Sequence, residues 1–436
     1  MQRLPLPAFL LKPLGYPPVS TLPEERQKGL RVFWLDGLFA SLSGGFIDSY
    51  YALYMLSLGA SNAQIGLVNT LNQVAGAVMA LPGAAIADRT GRYRFMSTIT
   101  GLIARLLWLV MLIAPWLLPD AGAVWLVLLA WVLIAGVGTM GAAAWTALQA
   151  DLVPARLRGA YFSSRNIVMQ VVRLGVIPVA GLIVNWIGEP GGYQVNLGLA
   201  FAFGMVAVYY YSQIPEHVPS PHEQEQISNR EILRNIRHMP LLMRFTLGHG
   251  VLMFGVMFGG PFISVYMAEE LDFSVGTIGF VTTTSVLATT IGMRILGRIQ
   301  DRYGITWTMR FGLGVPFITS AWLLVQHPWQ AYIVSALAAL TWAGYNLGAF
   351  NLLLAVTPNA HRPRYVAMHT TIISVVGAVG PLTGGVVLDA VGFTPVFLLS
   401  TVGRGLGLLL FFLLVREPDP VVEVDEDNAD GEDVGG

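Results

Sequence analysis

The chain has 436 residues, of which 54% are hydrophobic and 12% charged, with a formal net charge of −1 and a mean hydropathy of +0.61. A soluble protein carries about twice that charged fraction, so a soluble globular domain is excluded. The absence of cysteine excludes disulfides, thiolate metal sites and a cysteine nucleophile, and the histidines are scattered without ligand spacing, so no metal site is expected.

In chain order, residues 1–30 form a Pro-rich N-terminal segment. Pro5, Pro7, Pro13, Pro17, Pro18 and Pro23 break any apolar core, so it is not read as a signal peptide. Apolar runs then recur, each long enough for about 30 Å of hydrocarbon. They predict twelve helices at 32–56, 63–87, 96–118, 123–150, 166–188, 194–214, 243–268, 275–298, 310–326, 329–356, 367–389 and 394–415. Helix is the expected form because an open strand leaves backbone groups unpaired in lipid. Residues 215–242 form a polar linker. Residues 416–436 form an acidic tail, expected to be solvated and disordered.

The basic residues outside the spans cluster in alternate loops. Arg3, Lys12, Arg26, Lys28 and Arg31 precede span one. Arg89, Arg92 and Arg94 follow span two, and Arg156, Arg158 and Arg165 follow span four. Further groups follow spans six, eight, ten and twelve. The opposite loops carry Asp120, Glu189, Glu269, Glu270, Asp272 and Asp389 instead. By the positive-inside rule both termini are expected to be cytoplasmic.

Charge inside a span is costly and usually functional. The first span holds Asp36 and Asp48, about 18 Å and about 120° apart on a continuous helix, so they cannot share one site. Asp48, near mid-depth beside Gly44, Tyr51 and Ala52, reads as a proton carrier or an anchor for a cationic substrate. Arg105 and Arg173 fall in the same layer, and either one in a static ion pair with Asp48 is the competing reading. Asp36 reads as an interfacial gate residue or a water-exposed helix end, with His249 as its repeat mate. Asn72, Gln73, Trp145, Tyr345, Asn346 and Asn351 are further cavity candidates, with interhelical packing the alternative for each. Gly136-Val-Gly138-Thr-Met-Gly141 matches a nucleotide fingerprint, but it lies inside an apolar span with no strand before it, so it reads as packing.

The chain also repeats. Residues 86–91, IADRTG, return as IQDRYG at 299–304, and Ile65-Gly66 returns as Ile278-Gly279 at the same offset. Two six-helix halves of like orientation, 31–214 and 243–415, are an architecture of secondary transporters. The turn Asp88-Arg89-Thr-Gly91-Arg92-Tyr-Arg94 resembles the signature loop of the major facilitator superfamily, with Asp301-Arg302-Tyr-Gly304 as its second copy. The resemblance implies an all-α membrane fold of two parallel six-helix repeats. It also implies a gate network in which Asp88, Arg89, Gly91, Arg92, Asp301, Arg302 and Gly304 act with Asp151 and Arg158 at the end of span four. The sequence departs from the pattern at Ala84 and after Gly304, where the basic pair is replaced by Ile-Thr. Gly380-Pro381-Leu-Thr-Gly384-Gly385 in span eleven resembles the family's G-P-x-x-G-G element, and Gly175-Val-Ile-Pro178-Val-Ala-Gly181 in span five is a looser echo. The span-four arginine of many drug exporters of that family is absent.

The resulting expectation is a monomeric, multi-pass transporter of the cytoplasmic membrane. It would move a small organic molecule by proton-coupled export, with a proton gradient and no bound cofactor. Its partners would be substrate and lipid bilayer, not nucleic acid. An importer of a sugar or similar nutrient is the alternative. A transporter-like receptor would carry a large cytoplasmic domain. A membrane enzyme would need a nucleophile or metal cluster at membrane depth, and the sequence shows neither.

Overall fold

The computed structural model describes residues 23–153, 155–215, 234, 239–304, 308, 312–357 and 362–414. The side chains of Asp88, Asp151, Arg158 and Asp301 lie outside the described set, as do the acidic tail, most of the linker and residues 1–22. Every regular element among the described residues is helical. In the first half these are α1 (Glu24–Ile47), α2 (Tyr51–Ser57), α3 (Asn62–Thr90), α4 (Tyr93–Leu117), α5 (Asp120–Leu152), α6 (Ala155–Ile187) and α7 (Gly191–Tyr211). The second half contains α8 (Pro240–Gly259), α9 (Ile263–Glu269), α10 (Val275–Tyr303), α11 (Phe317–Trp322), α12 (Pro328–Val356), α13 (Arg362–Val391) and α14 (Phe393–Leu414). Among the described residues, 11 helical stretches are long and apolar enough to cross a membrane.

Four expectations are corrected. The first span is two helices: α1 stops at Ile47, and α2 begins at Tyr51. The first span of the second half breaks at the same level, where a 3-10 turn at Gly260–Phe262 separates α8 from α9. Among its described residues, the predicted helix at 310–326 is a 3-10 turn at Gly312–Gly314 followed by the short α11. Gly314 sits against Thr341, where an added Cβ would approach within 2.5 Å, and Pro316 lacks the N–H a continuous helix needs. Finally, α1 begins at Glu24, so the N-terminal segment is shorter than the predicted 1–30.

Within the first half, α1 packs on α6 and α7, while α5 packs on α3 and α4. In the second, α8 packs on α13 and α14, and α10 on α12. The halves meet along two matched seams, α3 against α13 and α6 against α10. Small residues make each seam close. A Cβ at Gly385 would lie 2.5 Å from the Asn62 carbonyl, and one at Gly181 would lie 2.8 Å from the Val275 carbonyl. Gly66 meets Pro381, and its repeat mate Gly279 meets Pro178. The looser glycine–proline motif of span five is therefore the structural counterpart of the one in span eleven. Close backbone approach replaces the hydrophobic drive that helices lack in lipid.

The terminal side is the end where α1 begins and α14 finishes, and the opposite end is distal. On the distal side one apolar core runs through both halves, from Ile47, Tyr54 and Met55 to Phe262, Val265 and Phe397. Toward the terminal side the described core divides. Leu30, Phe33 and Leu152 belong to a cluster of the first half, and Leu242, Phe245 and Phe411 to one of the second. The halves are thus joined distally and separated by a cleft toward the terminal side. Exposed Trp116, Trp125, Trp186 and Trp329 all sit at distal helix ends, where an aromatic belt marks a membrane interface.

Candidate functional site

The break in the first span builds the site. The N–H of Asp48 donates to the Gly44 carbonyl at 2.9 Å and closes α1. The Tyr50 hydroxyl donates to the Ile177 carbonyl at 2.5 Å, anchoring the turn to α6. Asp48 Oδ2 accepts from Arg173 Nη2, also of α6, at 2.5 Å. Gly44 makes room for the pair, since a Cβ there would approach Asp48 Oδ2 to 2.7 Å. The two side chains keep 47% and 40% of their surface exposed. Charge facing hydrocarbon costs several kcal/mol, so a pair this exposed is expected to face water rather than lipid. A half-exposed carboxylate with one arginine partner can take a proton or exchange that partner for a cation.

Arg105 lies elsewhere. Its guanidinium sits 4.3 Å over the Trp108 ring, and its stem packs against Gly204. It stays within electrostatic reach of both Asp36 and Asp48. Asp36 is not at a water-exposed helix end. It is buried and faces Arg165 at 3.7 Å, and that arginine lies inside α6 rather than in a loop. Arg165 also lies 4.2 Å over the ring of Phe33 and 5.9 Å from that of Trp145. Asp36, Arg105, Trp145 and Arg165 line a partly open cavity of about 350 Å³ between α1, α4, α5, α6 and α7. The two aspartates thus occupy two separate places, one in the exposed pair at the break of the first span and one inside the first half.

The other candidates disperse. Gln73 reaches Gly377 across the α3–α13 seam, and the side-chain amide oxygen of Asn72 on α3 is buried without a hydrogen bond among the described residues. Asn346 donates to the Trp342 carbonyl of its own helix at 2.9 Å, and Asn351 lies on α12. Tyr345 is fully buried in the second half, its ring against His249. Gly380 and Gly384 press α13 onto Phe254 and Phe258 of α8, while Pro381 and Gly385 press it onto α3.

In the two signature turns, Gly91 ends α3 at φ +60° and Gly304 ends α10 at φ +87°, the region that favours glycine. Arg89 and Arg92 are exposed. Arg94 donates to the Ile214 carbonyl at 3.1 Å, and Arg302 lies over the Tyr303 ring at 5.3 Å.

Sequence reasoning missed the distal closure. Asp389 of α13 accepts the backbone N–H groups of Asn62 at 3.1 Å and Ala63 at 2.9 Å, capping α3 of the other half. Reciprocally, Asn185 of α6 accepts the N–H of Gly276 at 3.1 Å and donates to Ser274 Oγ at 3.3 Å, at the start of α10. Each half closes a helix of the other. The one available signal was that both residues end the spans that carry the glycine–proline motif.

The profile of the Major Facilitator Superfamily matches residues 33–262 and 245–432. A multi-drug resistance efflux pump PmrA homolog of Lactococcus lactis subsp. lactis (strain IL1403) is 22% identical, across 84% of this chain and 90% of that one. The multidrug resistance protein MdtG of Dickeya zeae (strain Ech586) is 30% identical, across 37% of this chain and 41% of its own length. Among solved structures, a bacterial homolog of the human lysosomal transporter Spinster, inward-facing and occupied, superposes with a TM-score of 0.69 at 13% identity, covering 90% of this chain and 97% of that one. The nucleoside transporter NupG superposes at 0.64 with 16% identity, covering 90% and 98%. With two helical halves joined along paired seams, a broken first span in each half and the profile matched over nearly the whole length, the chain belongs to the Major Facilitator Superfamily of transporters.

Proposed function

We propose that this secondary transporter exports a small organic molecule in exchange for protons, with Asp48 as proton carrier and Arg173 as its resting partner. The half-exposed pair at the break of the first span carries the reading. The multidrug relatives support export. The clustered basic residues support cytoplasmic termini, which makes the cleft inward-facing and the distal end extracellular. Alternating access then moves one half against the other around Asp48. Import of a sugar or nucleoside is the second reading, favoured by the fold shared with NupG and with a D-xylose-proton symporter. Transport of ethidium, and of xylose and uridine, into proteoliposomes under an imposed pH gradient tests both. Ethidium moving against the proton flow supports export, whereas xylose or uridine moving with it establishes the second reading.

A further inference from the structure

The second half buries a chain of hydrogen bonds that the pair at Asp48 does not touch. Thr246 Oγ1 donates to the Leu242 carbonyl at 2.8 Å. A hydroxyl has one proton, so toward His369 Nδ1, at 2.9 Å, Thr246 only accepts. His369 therefore carries its proton on Nδ1. Its Nε2 faces His249 Nδ1 at 3.1 Å. In a neutral ring that Nε2 is a lone pair, so His249 Nδ1–H is the donor. Both rings are Nδ1–H tautomers, and among the described residues His249 Nε2 is the ring lone pair left open.

This arrangement accepts one proton without breaking a bond. Added at His249 Nε2, the proton leaves the Nδ1–H donation to His369 intact. Transfer of the Nδ1 proton across the 3.1 Å contact then moves the charge to His369 and leaves His249 neutral with its proton on Nε2. A second proton would set N–H against N–H.

Among the described residues the surroundings offer the charge no counter-ion. Phe245 stacks on His369 with centroids 5.0 Å apart, and Tyr345 of α12 stands edge-on to His249 at 5.7 Å. Among the described side chains, α8 itself adds exposed Arg244, α13 adds Tyr365 one turn away, and α14 adds Arg404, which donates to the Val256 and Val315 carbonyls. The one described acid of these helices is Asp389, at the distal end of α13. A loaded proton is thus uncompensated in this packing, and a rearrangement that hydrates α8 against α13 favours loading. Because α13 also forms the seam with α3, that rearrangement reaches the first half.

We propose that His249 and His369 form a one-proton site, separate from Asp48, whose occupancy is linked to the movement of α8 against α13. Its part in transport rests on the proton-driven reading above, whereas its chemistry does not. Nitrogen-15 histidine NMR of the purified full chain in detergent tests the chemistry. Both rings are expected as Nδ1–H tautomers, and acidification is expected to load one proton per pair. Nε2–H tautomers in the neutral protein, or two independent protonations, overturn the proposal. For the coupling, His249→Asn keeps a side-chain N–H donor for His369 and removes the protonatable ring nitrogen. It should lose the pH dependence of ethidium exchange measured at equal pH on both sides. His369→Gln serves if the first variant does not fold. A folded variant with the wild-type pH profile overturns the link. If Asp48→Asn keeps gradient-driven transport while the NMR result stands, the Asp48 reading fails and this one survives.

Discussion

Asp389 of the second half caps Ala63 of the first, its Oδ2 accepting the Ala63 N–H at 2.9 Å. The same carboxylate takes the N–H of Asn62 through Oδ1. A carboxylate at a helix N-terminus satisfies orphan donors and meets the positive end of the helix dipole. Because the helix belongs to the other half, the cap also latches the distal closure.

Removing the latch should open the distal side. Charge-assisted hydrogen bonds contribute roughly 1.5–3 kcal/mol each, and about 1.4 kcal/mol is a tenfold shift in a population. Asp389→Ala is expected to raise the reactivity of a cysteine placed at buried Val265 by about tenfold or more. Asn185→Ala, which removes neutral bonds, should raise it less. The chain has no native cysteine, so the labelling background is clean. Unchanged reactivity in Asp389→Ala would show that the cap does not hold the closure.

The seam glycines should behave unlike glycines in open space. A Cβ at Gly385 meets the Asn62 carbonyl oxygen at 2.5 Å, and one at Gly181 meets the Val275 carbonyl oxygen at 2.8 Å. Overpacking costs about 1–3 kcal/mol, so each alanine variant should melt lower and favour the distal-open state. At Gly297 no described atom lies within 4 Å of where a Cβ would stand. Gly297→Ala should melt at the wild-type temperature or above, because alanine stabilises a helix interior by roughly 0.5–1 kcal/mol. Equal melting temperatures for all three variants would sink the seam argument.

Asp48→Asn should fold and fail to couple. The pair is half-exposed, and exposed ion pairs contribute only about 0–1 kcal/mol. The variant should therefore express and melt nearly as the wild type. It should lose gradient-driven ethidium transport and keep ethidium exchange. Full gradient-driven transport in the folded variant would remove Asp48 from the coupling.

Asp36→Asn should do the reverse. Its side chain and that of Arg165 are 12% and 7% exposed. Leaving one member of a buried pair costs about 3–5 kcal/mol. Asp36→Asn and Arg165→Met are each expected to lower expression and melting temperature, and the double variant should recover most of the loss. A stable, transport-dead Asp36→Asn would instead give the 350 Å³ cavity a direct part in transport.

Sidedness is open to a direct check. Reporter fusions at Arg92 and Arg302 should read cytoplasmic, and fusions at Glu189 and Asp389 external. A single reversed site would break the positive-inside assignment.

Much of this was legible in one dimension. Hydropathy over about 20 residues is a local property, so most spans could be read directly. The offset joining Asp88-Arg89 to Asp301-Arg302 exposed the repeat, and Gly91 and Gly304 stand where the turns require a positive φ. What the sequence left open were relations among helices distant in the chain. Arg105 and Arg173 lie at similar depth, and only the rotation of α4 and α6 about their axes decides that Arg173 meets Asp48. Arg165 reads as a loop base until α6 carries it beneath Phe33 and Asp36. The run through Asp48, Ser49 and Tyr50 is apolar enough to continue as helix. It breaks where Asp48 pairs with Arg173 and Tyr50 binds the Ile177 carbonyl, both partners lying more than a hundred residues away. The caps by Asp389 and Asn185 follow from docking one half on the other. Periodicity reports which residues share a helix face, and only packing decides which faces meet.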